Sequence, residues 1–294
     1  MMINRNLELF IKAAELGSIT KAAKTLYITQ PAVSNALAKL EEELGVKLFF
    51  RDKRKGLFLT DTGKEIFLLA KQMEDIDNRI YQCALKEKNM VGGRVRIAVL
   101  TSLVSTILAK ALKKYRCLYP DIRIEIKEGT PNEVFAMVEE HSADFAVSCS
   151  PFGKFQKISL IQDRIMAMYP PDSREKETVF LNNPPDTLII NKPAYETILE
   201  HISSQNQVKF DKVIQVQNGE TAIRMAEEGI GIGILSEYTL ETLAPEEPKY
   251  PVIPEITFEI GLFANDLNDL TPAAAEFVRI ICTLSEEGYM PLDR

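Results

Sequence analysis

Histidine and cysteine are scarce in this chain, two and four among 294 residues. The cysteines, Cys83, Cys117, Cys149 and Cys282, stand far apart with no CxxC or CxxH spacing, so the sequence offers neither a zinc site nor a disulfide framework. With so little imidazole and no acidic pair at a telling spacing, no catalytic residue, cofactor or metal is expected. Cys149 between Ser148 and Ser150 reads as a buried strand-end residue, because neither His141 nor His201 belongs to a nucleophile motif. Long apolar runs are missing too. None approaches a membrane span, and the N-terminus opens on a polar amphipathic helix where an export signal needs an apolar core. A cytoplasmic location without a membrane partner is expected.

What is present suits a globular chain with two or more cores, at 46% hydrophobic and 26% charged residues. The net charge of −7 argues against nucleic acid when taken whole. It hides an asymmetry: residues 1–60 carry a net +4 and the rest −11.

The basic end has a dense pattern. Ile19, Ala22, Ala23 and Leu26 repeat at helical spacing, and Val33, Ala36, Leu37, Leu40 and Leu44 repeat again after only Tyr27-Ile28-Thr29. Thr29 before Gln30-Pro31 reads as an N-cap with proline in the first turn, Ser18 caps the preceding helix, and Gly45 ends the second. Two short helices joined this way predict a helix-turn-helix. Burial of Val33, Leu37, Leu40 and Leu44 would turn Gln30, Ser34, Asn35 and Ala38 outward, a face of small and amide side chains able to enter a major groove. Val46–Phe50 and Leu57–Leu59 are β-prone, and Arg51-Asp52-Lys53-Arg54-Lys55-Gly56 between them predicts a basic wing along phosphates. A first helix with Leu7, Phe10, Ile11 and Ala14 would close the core.

These residues carry a resemblance. The run Thr29-Gln30-Pro31-Ala32-Val33-Ser34, then Leu40-Glu41-Glu42-Glu43-Leu44-Gly45, Leu48-Phe49, Arg51, Arg54, Leu59-Thr60 and Gly63, resembles the winged helix-turn-helix of LysR-type transcriptional regulators. Asn35 departs from it, standing where the family commonly carries arginine. The resemblance implies an α/β multidomain protein: a DNA-binding domain over 1–60, a linker and dimerisation helix over 61–90, and an effector domain over 91–294. The last resembles a type 2 periplasmic binding protein, with one subdomain over about 94–162 and 264–294 and a second over about 163–263. Its partners would be double-stranded DNA, a small-molecule effector such as a small anion, and further copies of itself in a homodimer or homotetramer. Thr29, Gln30, Ser34 and Asn35 would read bases. Arg51, Lys53 and Arg54 would hold phosphates, and Ser18, Lys21, Pro31, Ala32, Lys39 and Lys55 complete the candidate DNA-contacting set.

Beyond Thr60 a long helix is predicted to about Asn89. Ile66, Leu69, Met73, Ile76, Ile80 and Cys83 follow the alternating three-and-four spacing of a coiled coil, which points to a partner helix. Val91-Gly92-Gly93 reads as a hinge. Strands at Arg94–Leu100, Ile122–Glu128 and Ala143–Cys149 alternate with helices at Ser102–Tyr119 and from a capping box at Thr130 to about Glu140, the pattern of a parallel sheet. A second α/β unit follows, with strands from Arg164, Thr187, Val213, Gly231 and Ile256, helices at 194–204 and 220–228, a helix capped by Ser236, and a last helix from Thr271-Pro272. The stretch Pro170–Pro185 reads as irregular.

Ligands of such sheets lie beyond the carboxyl ends of strands. Thr101, Ser102, Thr130, Ser148, Ser150, Asn191, Asn218 and Thr221 are therefore the candidate effector residues, although Ser102 and Thr130 also suit plain helix caps. Gly229-Ile230-Gly231-Ile232-Gly233 follows a helix and enters a strand, the reverse of a dinucleotide loop. Two rival readings remain: a solute-binding or metabolite-sensing protein without DNA function, which leaves the first sixty residues unexplained, and an α/β enzyme.

Overall fold

The structure is a computed structural model that describes residues 4–52, 56–86, 93–173, 177–192, 194–195, 198 and 212–286. It divides into two compact units, Met1–Gly93 with Glu140–Ser142, and Arg94–Glu139 with Ala143–Arg294.

In the first unit, α1 (Arg5–Leu16), α2 (Ile19–Thr25) and α3 (Gln30–Leu44) each begin on a side-chain cap: Asn4, Ser18 and Thr29 accept the backbone N–H of Asn6, Lys21 and Ala32. Gly17 and Gly45 end α1 and α3 in the left-handed region, at φ +56° and +68°. Phe10, Ala22, Ala23, Val33, Leu37 and Leu40 bury together with Leu48 and with Phe49 and Leu57 of a hairpin. That hairpin pairs β1 (Phe49–Asp52) with β2 (Gly56–Leu59) from Phe49↔Leu59 to Asp52↔Gly56. Its tip, Lys53, Arg54 and Lys55, lies outside the described residues. The helical spacing places Leu44 in the core, but it is 44% exposed. Glu41 takes the buried place one turn earlier, where its carboxylate accepts the N–H groups of Leu48 (2.8 Å) and Phe49 (3.3 Å).

Helix α4 (Asp61–Lys86) starts where Thr60 Oγ1 donates to the Lys47 carbonyl (2.7 Å) and accepts the N–H of Gly63 (2.8 Å). A Cβ on Gly63 would stand 2.2 Å from the Leu48 carbonyl oxygen, so only glycine lets α4 approach the hairpin this closely. Further along, the buried Lys71 ammonium joins Glu15 of α1 (3.0 Å) to Glu74 (2.7 Å).

The second unit holds a mixed sheet. The described strands are β3 (Arg94–Leu100), β4 (Arg123–Gly129), β5 (Phe145–Cys149), β6 (Gln156–Met168), β7 (Val179–Phe180), β8 (Leu188–Asn191), β9 (Val213–Val216), β10 (Ile232–Ser236), β11 (Tyr250–Ile253) and β12 (Thr257–Ala264). They run in the order β4-β3-β5-β12-β6-β10-β8-β9, with β11 beside β6 and β7. The outer groups β4-β3-β5 and β10-β8-β9 are parallel, as βαβ units must be, while β12 and β6 run antiparallel through the middle. Strand β6 serves both halves: Gln156–Arg164 pairs with β12 and Ile165–Met168 with β10. The sequence places its start at Arg164, eight residues late, because Gln156–Ser159 is largely exposed and polar and carries no apolar alternation. Strand β12 pairs with β5 from Ile260 to Phe263, so the chain is back against the first half by Ile260, not at 264.

The helix expected over Ser102–Tyr119 is three pieces: α5 (Thr101–Leu103), a π-helical segment (Val104–Leu108) and α6 (Ala109–Leu118). The π segment buries Thr106, Ile107 and Leu108. Helices α7 (Pro131–Glu139), α8 (Gly219–Glu227), α9 (Glu237–Leu243) and α10 (Pro272–Glu286) cover the sheet. Pro170–Pro185 is not wholly irregular, since Val179 and Phe180 pair with Val252 and Ile253.

Candidate nucleic-acid interface and effector cleft

Helix α3 presents Gln30, Pro31, Ala32, Asn35 and Lys39 to solvent, with Ser34 half-buried. The face is available because Val33, Ala36, Leu37 and Leu40 fill the opposite side. Thr29 and Ser18 are spent as caps at their side-chain oxygens. Lys21 and Lys39 are exposed and pair with no carboxylate among the described residues, which leaves both ammonium groups for an anion. Arg51 belongs to β1, and nothing is described of its side chain.

Along α4 the predicted seam divides. Ile66 packs against the core of its own domain. Leu69, Met73, Ile76 and Ile80 are 48–59% exposed, and Cys83 is exposed as well. The sequence pattern misses this division because the helix needs one face for its own domain before the seam can begin.

In the second unit a cavity forms between the two halves of the sheet. Leu100, Ser102, Leu103 and Cys149 line it from the β3 and β5 ends, Phe258 and Ile260 from β12, and Ile165, Asn191, Ala194, Ser236 and Thr239 from the other half. Its volume is about 350 Å³ with the open mouth counted. Asn191 is 4% exposed and its Oδ1 has no hydrogen-bond partner. Ser148, fully buried beside Cys149, has an unpartnered Oγ. Such atoms are rare in a finished interior, and that of Asn191 belongs to a residue lining the cleft.

Of the eight candidate effector residues, Ser102 and Asn191 meet in this cavity and Ser148 is next in the chain to its Cys149 wall. The others have local duties. Thr101 Oγ1 donates to the Gly129 carbonyl (3.4 Å), and the Thr130 N–H donates to Glu133 (2.8 Å) in the capping box. Ser150 Oγ accepts the Glu259 N–H (3.0 Å). Asn218 caps α8 by accepting the Thr221 N–H (2.9 Å), and Thr221 opens onto an outer groove with Arg224 and Ile230. Ser236 is legible in the sequence only as a helix cap, and it keeps that role by accepting the Thr239 N–H at 3.1 Å. The apolar lining carries no local signal.

Asp163, buried where β6 passes from β12 to β10, is pushed up to about 6 by burial, against hydrogen bonds from the backbone N–H of Tyr238 (3.1 Å) and Arg164 (2.8 Å). Its Oδ2 has no partner. At the start of α7, hydrogen bonds from Thr130 hold Glu133 below the usual carboxylate range, with Lys192 adding to the effect.

The two units match two family models: residues 4–64 the bacterial regulatory helix-turn-helix protein of the lysR family, and residues 88–283 the LysR substrate binding domain. The chain belongs to the LysR family of transcriptional regulators. It is 39% identical over 285 residues to the HTH-type transcriptional regulator YoaU of Bacillus subtilis, covering 96% of this chain and 98% of that protein. YvbU of the same organism is 29% identical over 279 residues, 93% and 96% of the two chains. Among solved structures, a full-length OxyR variant from Pseudomonas aeruginosa has a TM-score of 0.71 at 16% identity, covering 97% of this chain and 95% of that one. ArgP from Mycobacterium tuberculosis has a TM-score of 0.66 at 17% identity, covering 97% and 98%. At such identities these two speak for the fold alone. No described helix of this LysR-family chain is long and apolar enough to cross a membrane.

Proposed function

We propose that this regulator binds duplex DNA as a homodimer or homotetramer, with the exposed face of α3 in the major groove and the wing along phosphates, and that a small molecule in the cleft of the second unit adjusts that binding. Gln30, Ser34 and Asn35 read bases in this assignment, while Lys21, Lys39, Arg51 and the wing's Lys53, Arg54 and Lys55 meet phosphates. The observation that carries it is the pairing, in one chain, of a polar, exposed helix face on α3 with a cleft lined by a buried amide whose oxygen has no partner. The exposed seam of Leu69, Met73, Ile76 and Ile80 supports pairing through α4, which would present two recognition helices to two half-sites. A solved relative in fold, CbnR, has been crystallised with its target DNA. The solute-binding alternative leaves the domain over 4–64 without work, and the curated relatives named above are transcriptional regulators.

The test is selection from a random duplex library by the purified protein at moderate salt, with its mass in solution measured alongside. Enrichment of a sequence with two half-sites roughly 10 base pairs apart, or a multiple of that, is expected. A monomer with no preference among duplexes refutes the assignment.

A further inference from the structure

We propose that the cleft takes a small, uncharged and largely apolar molecule that donates a hydrogen bond to Asn191 Oδ1, and that it rejects carboxylates and phosphates. This rests on the regulator reading only in treating the cleft as an effector site.

Three observations carry it. Asn191 lines the cavity, is 4% exposed, and has a carbonyl oxygen with no donor, so the protein presents an acceptor there. An N–H or O–H satisfies it, whereas the lone pairs of an anion oppose it. Second, among the described residues no lysine, arginine or histidine lines the cavity. Lys192, next along the chain from Asn191, acts on Glu133. The buried carboxylate nearest in sequence to the lining, Asp163, has an unpartnered Oδ2 and adds potential of the wrong sign for an anion. An anion entering here would lose its hydration with no cation to replace it. Third, Leu100, Leu103, Ile165, Phe258 and Ile260 make much of the remaining wall hydrocarbon, beside the residues Ser102, Ser236 and Thr239, and a cleft of about 350 Å³ with its open mouth suits a small molecule.

The experiment uses the full chain and three probes of nearly one shape: isobutyramide, which is neutral and a donor; 3-methyl-2-butanone, neutral without a donor; and isobutyrate, an anion. Thermal unfolding is followed by circular dichroism. Isobutyramide at about ten times its dissociation constant raises the midpoint by roughly 2–4 °C, and the ketone and the anion move it by less than half as much. In Asn191→Leu the amide response disappears, and in Asn191→Asp, which keeps an acceptor, it persists. An equal or larger response to isobutyrate, an amide response surviving in Asn191→Leu, or no response to any probe overturns the proposal. Should Asn191→Leu fail to fold, the ranking of the probes on the unmodified chain decides. Duplex selection by the same preparation keeps the two readings apart: selective DNA binding without an amide response fails this proposal alone, and an amide response without selective binding fails the regulator reading alone.

Discussion

Gln30 stands exposed in the first turn of α3, with Thr29 capping behind it, so its amide can reach a base edge without disturbing the helix. A bidentate amide contact to adenine discriminates by about 1–3 kcal/mol. Gln30→Ala should therefore relax base preference at one position in each half-site and leave the salt dependence of binding unchanged, as read by competition among single-base variants of the selected duplex. An unchanged preference would remove Gln30 from the groove. Asp163 makes a different prediction, about stability. Its folded pKa of about 6 lies above the ordinary value of 3.8, so the folded state favours the protonated carboxyl. That contribution is fully present below about pH 4 and is lost as pH rises through about 6. At pH 7.5 the folded chain carries a buried, partly unpartnered carboxylate, and Asp163→Asn, whose amide oxygen still accepts from Tyr238, should stabilise the protein by on the order of 2 kcal/mol. The gain should vanish below about pH 4 in denaturation measured across that range, and a constant gain would mean that some other contact is responsible.

Helix α4 changes surroundings along its length. Its first turns belong to the DNA-binding domain through Gly63, Ile66 and Ala70. Gly63→Ala must displace either α4 or the hairpin, given 2.2 Å to the Leu48 carbonyl, and a loss of about 2 kcal/mol or more is expected in denaturant unfolding. Its later turns show Met73, Ile76 and Ile80 to solvent at about half exposure. Ile76→Asp with Ile80→Asp should convert the dimer to monomer in sedimentation and lower affinity for the two-half-site duplex far more than for a half-site, while leaving the helical content of a single chain in place. Dimers that survive the double change would put the pairing elsewhere. The spacing in the sequence announces this helix, yet it cannot say that Ile66 packs against its own domain. Caps are legible at Ser18, Thr29, Thr60 and Ser236 because a cap is decided within four residues. The exposed first half of β6 is not, since its place in the sheet depends on β12, about a hundred residues away. The cavity is half legible. Asn191 and Ser102 sit at strand ends, where hydroxyls and amides stand out, but Ile165 and Phe258 become neighbours only when β6 and β12 cross the sheet.

At the scale of the whole chain, charge is divided unevenly, with a net +4 in residues 1–60 against −11 in the remainder. A duplex approaching the basic end also feels the acidic remainder, over a distance set by salt. The screening length is about 30 Å at 0.01 M and about 8 Å at 0.15 M, so the acidic part should repel DNA in dilute salt and become silent near physiological strength. A fragment of residues 1–86 retains the buried core of the first unit and most of the seam. It should bind non-specific duplex several-fold more tightly than the full chain at about 0.01 M salt, and the two should converge by about 0.15 M. The full chain would then show the shallower salt dependence, because added salt weakens its phosphate contacts while relieving its own repulsion. Binding isotherms of both proteins on one non-specific duplex across that range test this. Curves that stay parallel would show that the acidic unit exerts no field on bound DNA and that its negative charge serves solubility alone.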